Sequence, residues 1–405
     1  MADLYFYFFI ANLVVTVFLG GYLAISPSLT RKAFLFGVKI PETEQTNPQV
    51  KEIKRIYVIG IIITALMILI ADIFQYCKWP HLTAFATFYF PWAFFVGHSV
   101  FYGVCWTKAK ALKSENNWSV SNVVFAESRS SFTRGKLSMI PWLYYIFSLV
   151  LIAITAIVSI IIYPSLPDQI VMVFDYRMEP NVWAAKTPFS VMFYSLVGAI
   201  KLAILFGVSI FFVVRAKLQI STQDPALSFA QHRLYRRYVS HGFGIMTVGF
   251  IIISTLVCFK GLFPDFPLTA ALYRIAMIVS CLPLLVILFV SGQGGCKLKP
   301  KTSKEDSLAA GYENNETKEI FPGRGDDKYW KLGAFYYNPD DPVLMIEDRF
   351  GVGIDLNYSH PAAKVVTVLA VVTLVALYAW LTPRVLSPDF DLSKLLIWWD
   401  SFFRK

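Results

Sequence analysis

The sequence predicts an all-α integral membrane protein of about eight transmembrane helices, with a small β-hairpin module between the seventh and the eighth. Three observations carry this. Hydrophobic residues fill 56% of the 405 positions and charged residues only 16%, against a charged share of about 25% in soluble domains. Apolar runs recur at the length of about 20 residues that a helix rising 1.5 Å per residue needs to cross a hydrocarbon core about 30 Å thick. Lys and Arg gather between those runs on alternate sides, so the net charge of +10 reflects membrane topology rather than nucleic-acid binding. The expected partner is therefore the lipid bilayer, with no nucleic acid.

The first run covers residues 4–25. It has no basic segment before it and is too long for a signal-peptide core, so it is expected to persist as the first helix. The others cover residues 57–77, 81–106, 141–163, 189–214, 239–259, 268–292 and 361–382. Each must be helical, because in lipid only a helix satisfies its own backbone groups. Segments 26–56, 107–140, 215–238 and 293–364 then share one face and hold 27 of the 37 Lys and Arg residues, while Lys201 and Arg274 lie inside helices. The positive-inside rule puts those four segments in the cytoplasm and both termini outside. Residues 389–405, with Leu395, Leu396, Trp398, Trp399 and Phe402, form an amphipathic tail suited to the interface.

Asn47-Pro48 and Asp224-Pro225 each offer an N-cap followed by proline at the first helical position. Helices 2 and 6 are thus expected to extend beyond the membrane, with basic and aromatic residues anchoring them at headgroups. The chain divides into an N-terminal membrane region (1–140), a membrane domain with an outer loop at 164–188 (141–214), helices 6 and 7 (215–292), a flexible linker (293–325), the β module (326–360) and the last helix with its tail (361–405).

Ionisable residues inside spans are costly and raise a functional question. Asp72 and Arg274 lie at depths matched within about 2 Å from the same side, and are candidates for an ion pair, with snorkelling as the alternative. Lys201 sits mid-helix and needs a carboxylate, carbonyls or water; a substrate or coupling-ion role is its sharper interpretation. His98 is better taken as a hydrogen-bonded core histidine than as a proton relay. Pro91 and Pro283 are expected to kink their helices. Nucleophile elbows, HExxH, Walker A and dinucleotide fingerprints are missing, so no catalytic residue, cofactor or metal is assigned. The five cysteines show no CxxC spacing, although Cys77 and Cys258 share the outer side and are candidates for a disulfide. Gly292-Gln293-Gly294-Gly295 follows a helix, not a strand, and is taken as a helix C-terminus rather than a phosphate cradle.

Two segments outside the spans have character. In the outer loop, Tyr163-Pro164, Leu166-Pro167-Asp168-Gln169-Ile170, Phe174-Asp175, Glu179-Pro180, Trp183 and Lys186 resemble the membrane domain of SdpI-type bacteriocin immunity proteins and their larger multi-pass relatives. Those relatives usually carry proline, histidine and glycine where this chain has Val171, Val173 and Met178, so its turn must be built differently. Leu166, Pro167, Asp168, Phe174, Asp175 and Trp183 are the candidate ligand-binding residues. In the second segment, aromatic and β-branched runs flank Pro339-Asp340-Asp341-Pro342, which suggests a hairpin or three-stranded unit turned there. Trp330, Gly333, Tyr336 or Tyr337, Asn338-Pro339, Asp341, Arg349, Gly351, Gly353 and Asn357 resemble a small module that follows the same membrane domain in larger relatives. Gly37-Val38-Lys39-Ile40-Pro41 and Gly292 to Gly295 fit that family too. The module candidates are Trp330, Tyr337, Asn338, Asp341 and Arg349.

The resemblance implies a binding and regulatory membrane protein for a bacterial cell membrane, in which the outer loop senses or sequesters an extracellular peptide, as in bacteriocin immunity, or senses envelope stress, and the module meets a cytoplasmic protein partner. The alternative is a transporter or transport accessory using Lys201, Asp72 and His98. An intramembrane enzyme would need more polar residues at one depth than the chain supplies.

Overall fold

The computed structural model describes residues 2–119, 125–126, 139–175, 177–215, 224–302, 319–320, 325–351 and 353–385. The amphipathic tail and most of the expected linker lie outside the described residues. The helices are α1 (Ala2–Leu29), α2 (Pro48–Lys78), α3 (Thr83–Glu115), α4 (Trp142–Ile161), α5 (Pro188–Arg215), α6 (Pro225–Leu262), α7 (Ala270–Ser291) and α8 (Pro361–Val385). Among the described residues six of these, α1, α2, α4, α5, α6 and α7, are long and apolar enough to cross a membrane. The architecture is that of a multi-pass helical membrane protein.

Helix starts follow the sequence chemistry. The Asn47 side chain accepts from the backbone N–H of Gln49 and that of Asp224 from Leu227, each with proline at the first turn. Helices α2 and α6 run on for 31 and 38 residues. Helices α1, α2 and α3 pack on one another, and α4 to α7 form a second group. Their outward faces expose Ile, Val, Leu and Phe, as helices solvated by lipid do. Small residues mark the closest crossings: a Cβ on Gly60 would lie 2.3 Å from the Phe101 ring, so the helices approach where a side chain is missing.

Short antiparallel hairpins cover the two ends of the bundle. At one end, β4 (Gln169–Phe174) pairs with β5 (Pro180–Ala185). At the other, where the basic segments lie, are β1 (Phe34–Leu35) with β2 (Val38–Lys39), β7 (Trp330–Lys331) with β8 (Phe335–Tyr336), and β9 (Met345–Glu347) with β10 (Ile354–Leu356). A further pair joins β3 (Phe125–Ala126) to β6 (Glu319–Ile320), and Tyr336 bridges Asn357 in parallel.

The module's turns fall elsewhere than the sequence suggests. Pro339 to Pro342 links two hairpins instead of closing one. The first closes at Leu332-Gly333, with φ of 55° and 72°, because positive φ at both central residues matches strand twist. Phe36-Gly37 closes β1–β2 in the same way, with φ of 47° and 77°. The two turns touch: a Cβ on Gly37 would lie 2.0 Å from the Gly333 carbonyl oxygen. Gly37→Ala should therefore lower stability by roughly 2–3 kcal/mol through backbone strain and separation of the turns, read as a fall in the melting temperature of the purified full chain; an unchanged melting temperature would contradict this contact.

Candidate functional site

The site grows from Asp348-Arg349-Phe350-Gly351, the connection between β9 and β10. The Asp348 carboxylate accepts from the backbone N–H of Arg349 at 2.6 Å and of Phe350 at 3.3 Å, and Gly351 takes φ 72°. That turn sends three consecutive residues into the helical bundle. Arg349, fully buried, donates to the Gly37 carbonyl at 2.9 Å and to Asp327 at 2.6 Å. Its guanidinium also lies over the rings of Trp330 at 4.6 Å and Phe34 at 5.0 Å. Phe350 enters an aromatic cluster with Phe36, Tyr57, Tyr102 and His98. The N–H of Gly351 donates to Thr30 Oγ1 at 2.8 Å.

A second contact lies beside the first. Glu347 pairs with Arg31 at 2.8 Å, and Arg31 also meets His232 at 3.4 Å and, through its backbone N–H, Gln293 at 3.1 Å. Gln293 in turn donates to the Asp348 carbonyl. Gly292 ends α7 with φ 66°, as a helix C-terminus does. A Cβ on Gly294 would sit 2.4 Å from Arg31 Nη2 and 2.8 Å from Glu347 Oε1, so this turn leaves room for the ion pair. The glycine runs after α1 and α7 and the module, three separate motifs in the chain, meet at one place.

Inside the module the polar residues satisfy one another. Tyr336 donates to Asp341 at 2.9 Å, the Asn338 side chain donates to Tyr336 Oη at 3.0 Å, and the Asn357 amide donates to the carbonyls of Asn338 and Asp341. Trp330, Asn338, Asp341 and Arg349 are thus brought together. Tyr337 is not: it is 41% exposed while Tyr336 is buried, which corrects the choice between them, because strand alternation turns only one of two neighbours inward.

Charge is balanced unevenly here. Burial alone would raise the Asp327 carboxyl, but Arg349 and then Lys113, which it meets at 2.7 Å, hold it below the ordinary value. Burial, with Arg349 adding, lowers Lys39 to about 8. Burial, with Asp355 adding, raises Asp348 to about 7. Among the described residues no group of His, Cys, Asp and Glu has an arrangement that could hold a metal.

At the opposite end the β4–β5 hairpin is fixed to the helices below it. Leu166 and Ile170 are buried with Val191, Tyr194, Cys258 and Leu262, with Phe174 packed against them. Tyr194 donates to the Val171 carbonyl at 3.3 Å, Lys186 Nζ to Leu166 O at 2.7 Å, and the Lys186 N–H to Asp168 O at 2.8 Å. Asp175 builds the turn, accepting from the N–H groups of Arg177 and Glu179 at 2.8 Å each. Met178 takes φ 61°, so a residue with a Cβ holds the backbone that glycine adopts most easily. Pro167 and Trp183 stay exposed.

The four intramembrane ionisable residues do not converge. Asp72 accepts from the Asn12 amide at 3.3 Å and not from Arg274, which lies over the Tyr7 ring at 4.2 Å. His98 Nδ1 lies 2.8 Å from the Tyr57 hydroxyl, and Lys201 donates to Ser254 at 3.0 Å. Cys77 and Cys258 are free thiols. Sequence reasoning missed Thr30, Arg31, Lys113, His232, Asp327, Glu347 and Phe350, since partners separated by as many as 321 positions leave no local pattern. No family model, curated protein or solved structure matches the chain.

Two outcomes test the site. Arg349→Ala strands the Gly37 carbonyl and leaves the Asp327 carboxylate without its buried partner, and should cost roughly 3 kcal/mol, seen as faster hydrogen–deuterium exchange across residues 326–358; Arg349→Lys should restore only part, lacking the planar fork. The docked Asp348 holds its proton up to about pH 7, whereas an undocked aspartate loses it near 4. Its contribution is therefore complete below that lower value and is lost as pH rises through about 7. Exchange in this segment, corrected for intrinsic rate, should accelerate from pH 5 to pH 7.5, and Asp348→Asn should flatten that dependence.

Proposed function

We propose that this chain is a multi-pass bacterial cell-membrane protein of the SdpI-type immunity class, which binds a membrane-active peptide at its outer hairpin and passes the bound state to its opposite end. In this proposal α3 and α8 also cross, which gives eight spans. The basic segments face the cytoplasm and both termini lie outside. Support for the crossing of α3 comes from its packing within the α1–α2 pair and its 33 residues, about 50 Å of helix. Val365 to Val375 of α8 present their apolar side chains outward, as a lipid-facing helix does.

One observation carries the functional part. A single helix, α6, touches both surfaces. Its C-terminal residues Cys258 and Leu262 lie beneath the hairpin, while His232 near its other end meets Arg31 and Gln231 donates to the Leu298 carbonyl at 2.9 Å. At 38 residues it extends about 57 Å, so a change of packing under the hairpin reaches the docked module through one rigid element. The hairpin's own form, a pinned base with Trp183 exposed, suits a binding surface, since aromatic anchors on rigid frames lose little entropy on binding. Met178, at the usual glycine position of the relatives, adopts the glycine-like conformation, which supports the resemblance.

The transport alternative would draw on Lys201, Asp72 and His98, which sit in separate hydrogen-bonded pairs. Cells with and without the protein should differ in sensitivity to at least one membrane-active secreted peptide. That protection should fall with Trp183→Ala and vanish when residues 166–183 are scrambled. Equal sensitivity in all strains across a broad panel, with the protein shown to reach the membrane, would remove the proposal.

A further inference from the structure

A cleft of about 810 Å³ opens beside the docked module, between the last turns of α3 and the β7–β8 turn. Its walls carry Lys110, Lys113, Lys328 and Lys331, and its aromatic lining includes Trp106 and Trp118. Asp327 is the acidic lining residue among those described, and it is committed to Arg349 and Lys113. Lys113 is paired with Asp327 and Lys328 with Asp326 at 3.5 Å, so four ammonium groups against two carboxylates leave the cleft net positive. The backbone beneath is rigid: Gly37 and Gly333 form part of the lining, and their turns are in direct contact.

Position narrows the ligand. In the proposed topology, on which this depth rests, α3 crosses, and counting about 20 of its residues from Thr83 for the hydrocarbon core brings the chain to Tyr102. Trp106 then lies about 6 Å further and Lys110 about 12 Å further, at the depth of headgroups and just beyond. Indole rings favour that depth, and lysines there are attracted to anionic lipids. Lys110 Nζ lies 5.4 Å from the Trp106 ring centre, so one side of the cleft joins an apolar plate to a cation. That combination matches a phosphate ester: the phosphoryl oxygens go to the lysines, and the carbon-bearing part goes against the indoles.

We infer that this cleft binds a phosphate ester, in the form of an anionic phospholipid headgroup or a small soluble phosphate monoester of the same chemistry. The lipid is favoured by the depth of Trp106. The binding is independent of any peptide at the hairpin end.

The test uses the full chain purified in a neutral detergent, with bound ligand counted by native mass spectrometry. One arm adds phosphatidylglycerol against phosphatidylcholine, and the other adds sn-glycerol 3-phosphate. Wild type should retain phosphatidylglycerol at least tenfold over phosphatidylcholine. Lys110→Gln with Lys331→Gln should lose about tenfold or more of that retention, at about 1 kcal/mol for each basic residue, while Lys51→Gln, exposed at the same end on α2 and outside the cleft, should leave it unchanged. Both lysines of the double variant are exposed, so its melting temperature should match wild type. If that temperature falls, Leu332→Asp, which adds a negative charge at another exposed lining position, supplies the same comparison. Binding of sn-glycerol 3-phosphate, lost in the double variant, would assign the site to the soluble ester. No binding in either arm, or equal losses in the Lys51 and double variants, would overturn the inference.

Discussion

A guanidinium with no solvent-exposed side-chain surface organises the basic end of the molecule. Arg349 donates to a turn carbonyl 312 positions earlier and to Asp327, and its plane is covered by Trp330 and Phe34. A buried charge is tolerated only with near-complete partnering, so the hairpin after α1, the start of the module and the β9–β10 turn must all be in place together. Such a pair adds little net stability over an apolar replacement, and its consequence is registration. The apolar energy comes from the neighbour: Phe350 buries itself among Phe36, Tyr57 and Tyr102 only when Arg349 is correctly placed.

That requirement explains the glycines. Gly37, Gly333 and Gly294 are where backbone meets backbone or an ion pair, and a Cβ at each would lie closer than 3 Å to a neighbour. A lipid-embedded bundle can tolerate many changes of one apolar residue for another on its outer faces, because lipid solvates them equally. The docked end has no such freedom. His98 belongs to it as well, since its partner Tyr57 and the stacked Phe350 make it a core histidine at the base of the module.

Much of the helical framework was legible, because the length of an apolar run and the presence of Asn47-Pro48 or Asp224-Pro225 are local facts. The glycine end of α7 was legible for the same reason. What escaped depended on rotation about helix axes or on distant pairing. Asp72 and Arg274 have matching depths, yet depth does not say which face each occupies, and Asp72 turns to Asn12. The hairpin turns at Phe36-Gly37 and Leu332-Gly333 lack the Asn-Gly or Asp-Gly signal that marks two-residue turns, so the conspicuous Pro-Asp-Asp-Pro segment attracted the turn instead. Of the site, the module's Trp330, Asn338, Asp341 and Arg349 were singled out together in the sequence and lie together in the structure, whereas Arg31, Thr30 and Lys113 looked like ordinary members of basic loops.

Asp327 stands in both the docking contact and the wall of the positive cleft, and this ties the two together. It pairs with Arg349 on its buried side and with Lys113 at 2.7 Å on the open side. Both cations hold it ionised, against the effect of burial. An anion entering the cleft competes with Asp327 for Lys113. To the extent that Lys113 turns to the anion, Asp327 loses its salt bridge to α3 and keeps Arg349, which belongs to the module itself, so less holds the module to the bundle. By linkage, a docked module, whose Asp327 occupies Lys113, leaves that lysine less free for the anion. Both side chains of the Lys113 pair are about one-third exposed or less, at 27% and 33%, so solvent weakens this coupling without abolishing it. Through Lys113, occupancy of the cleft and docking of the module should therefore oppose each other, because the anion and the Asp327 carboxylate compete for one cation.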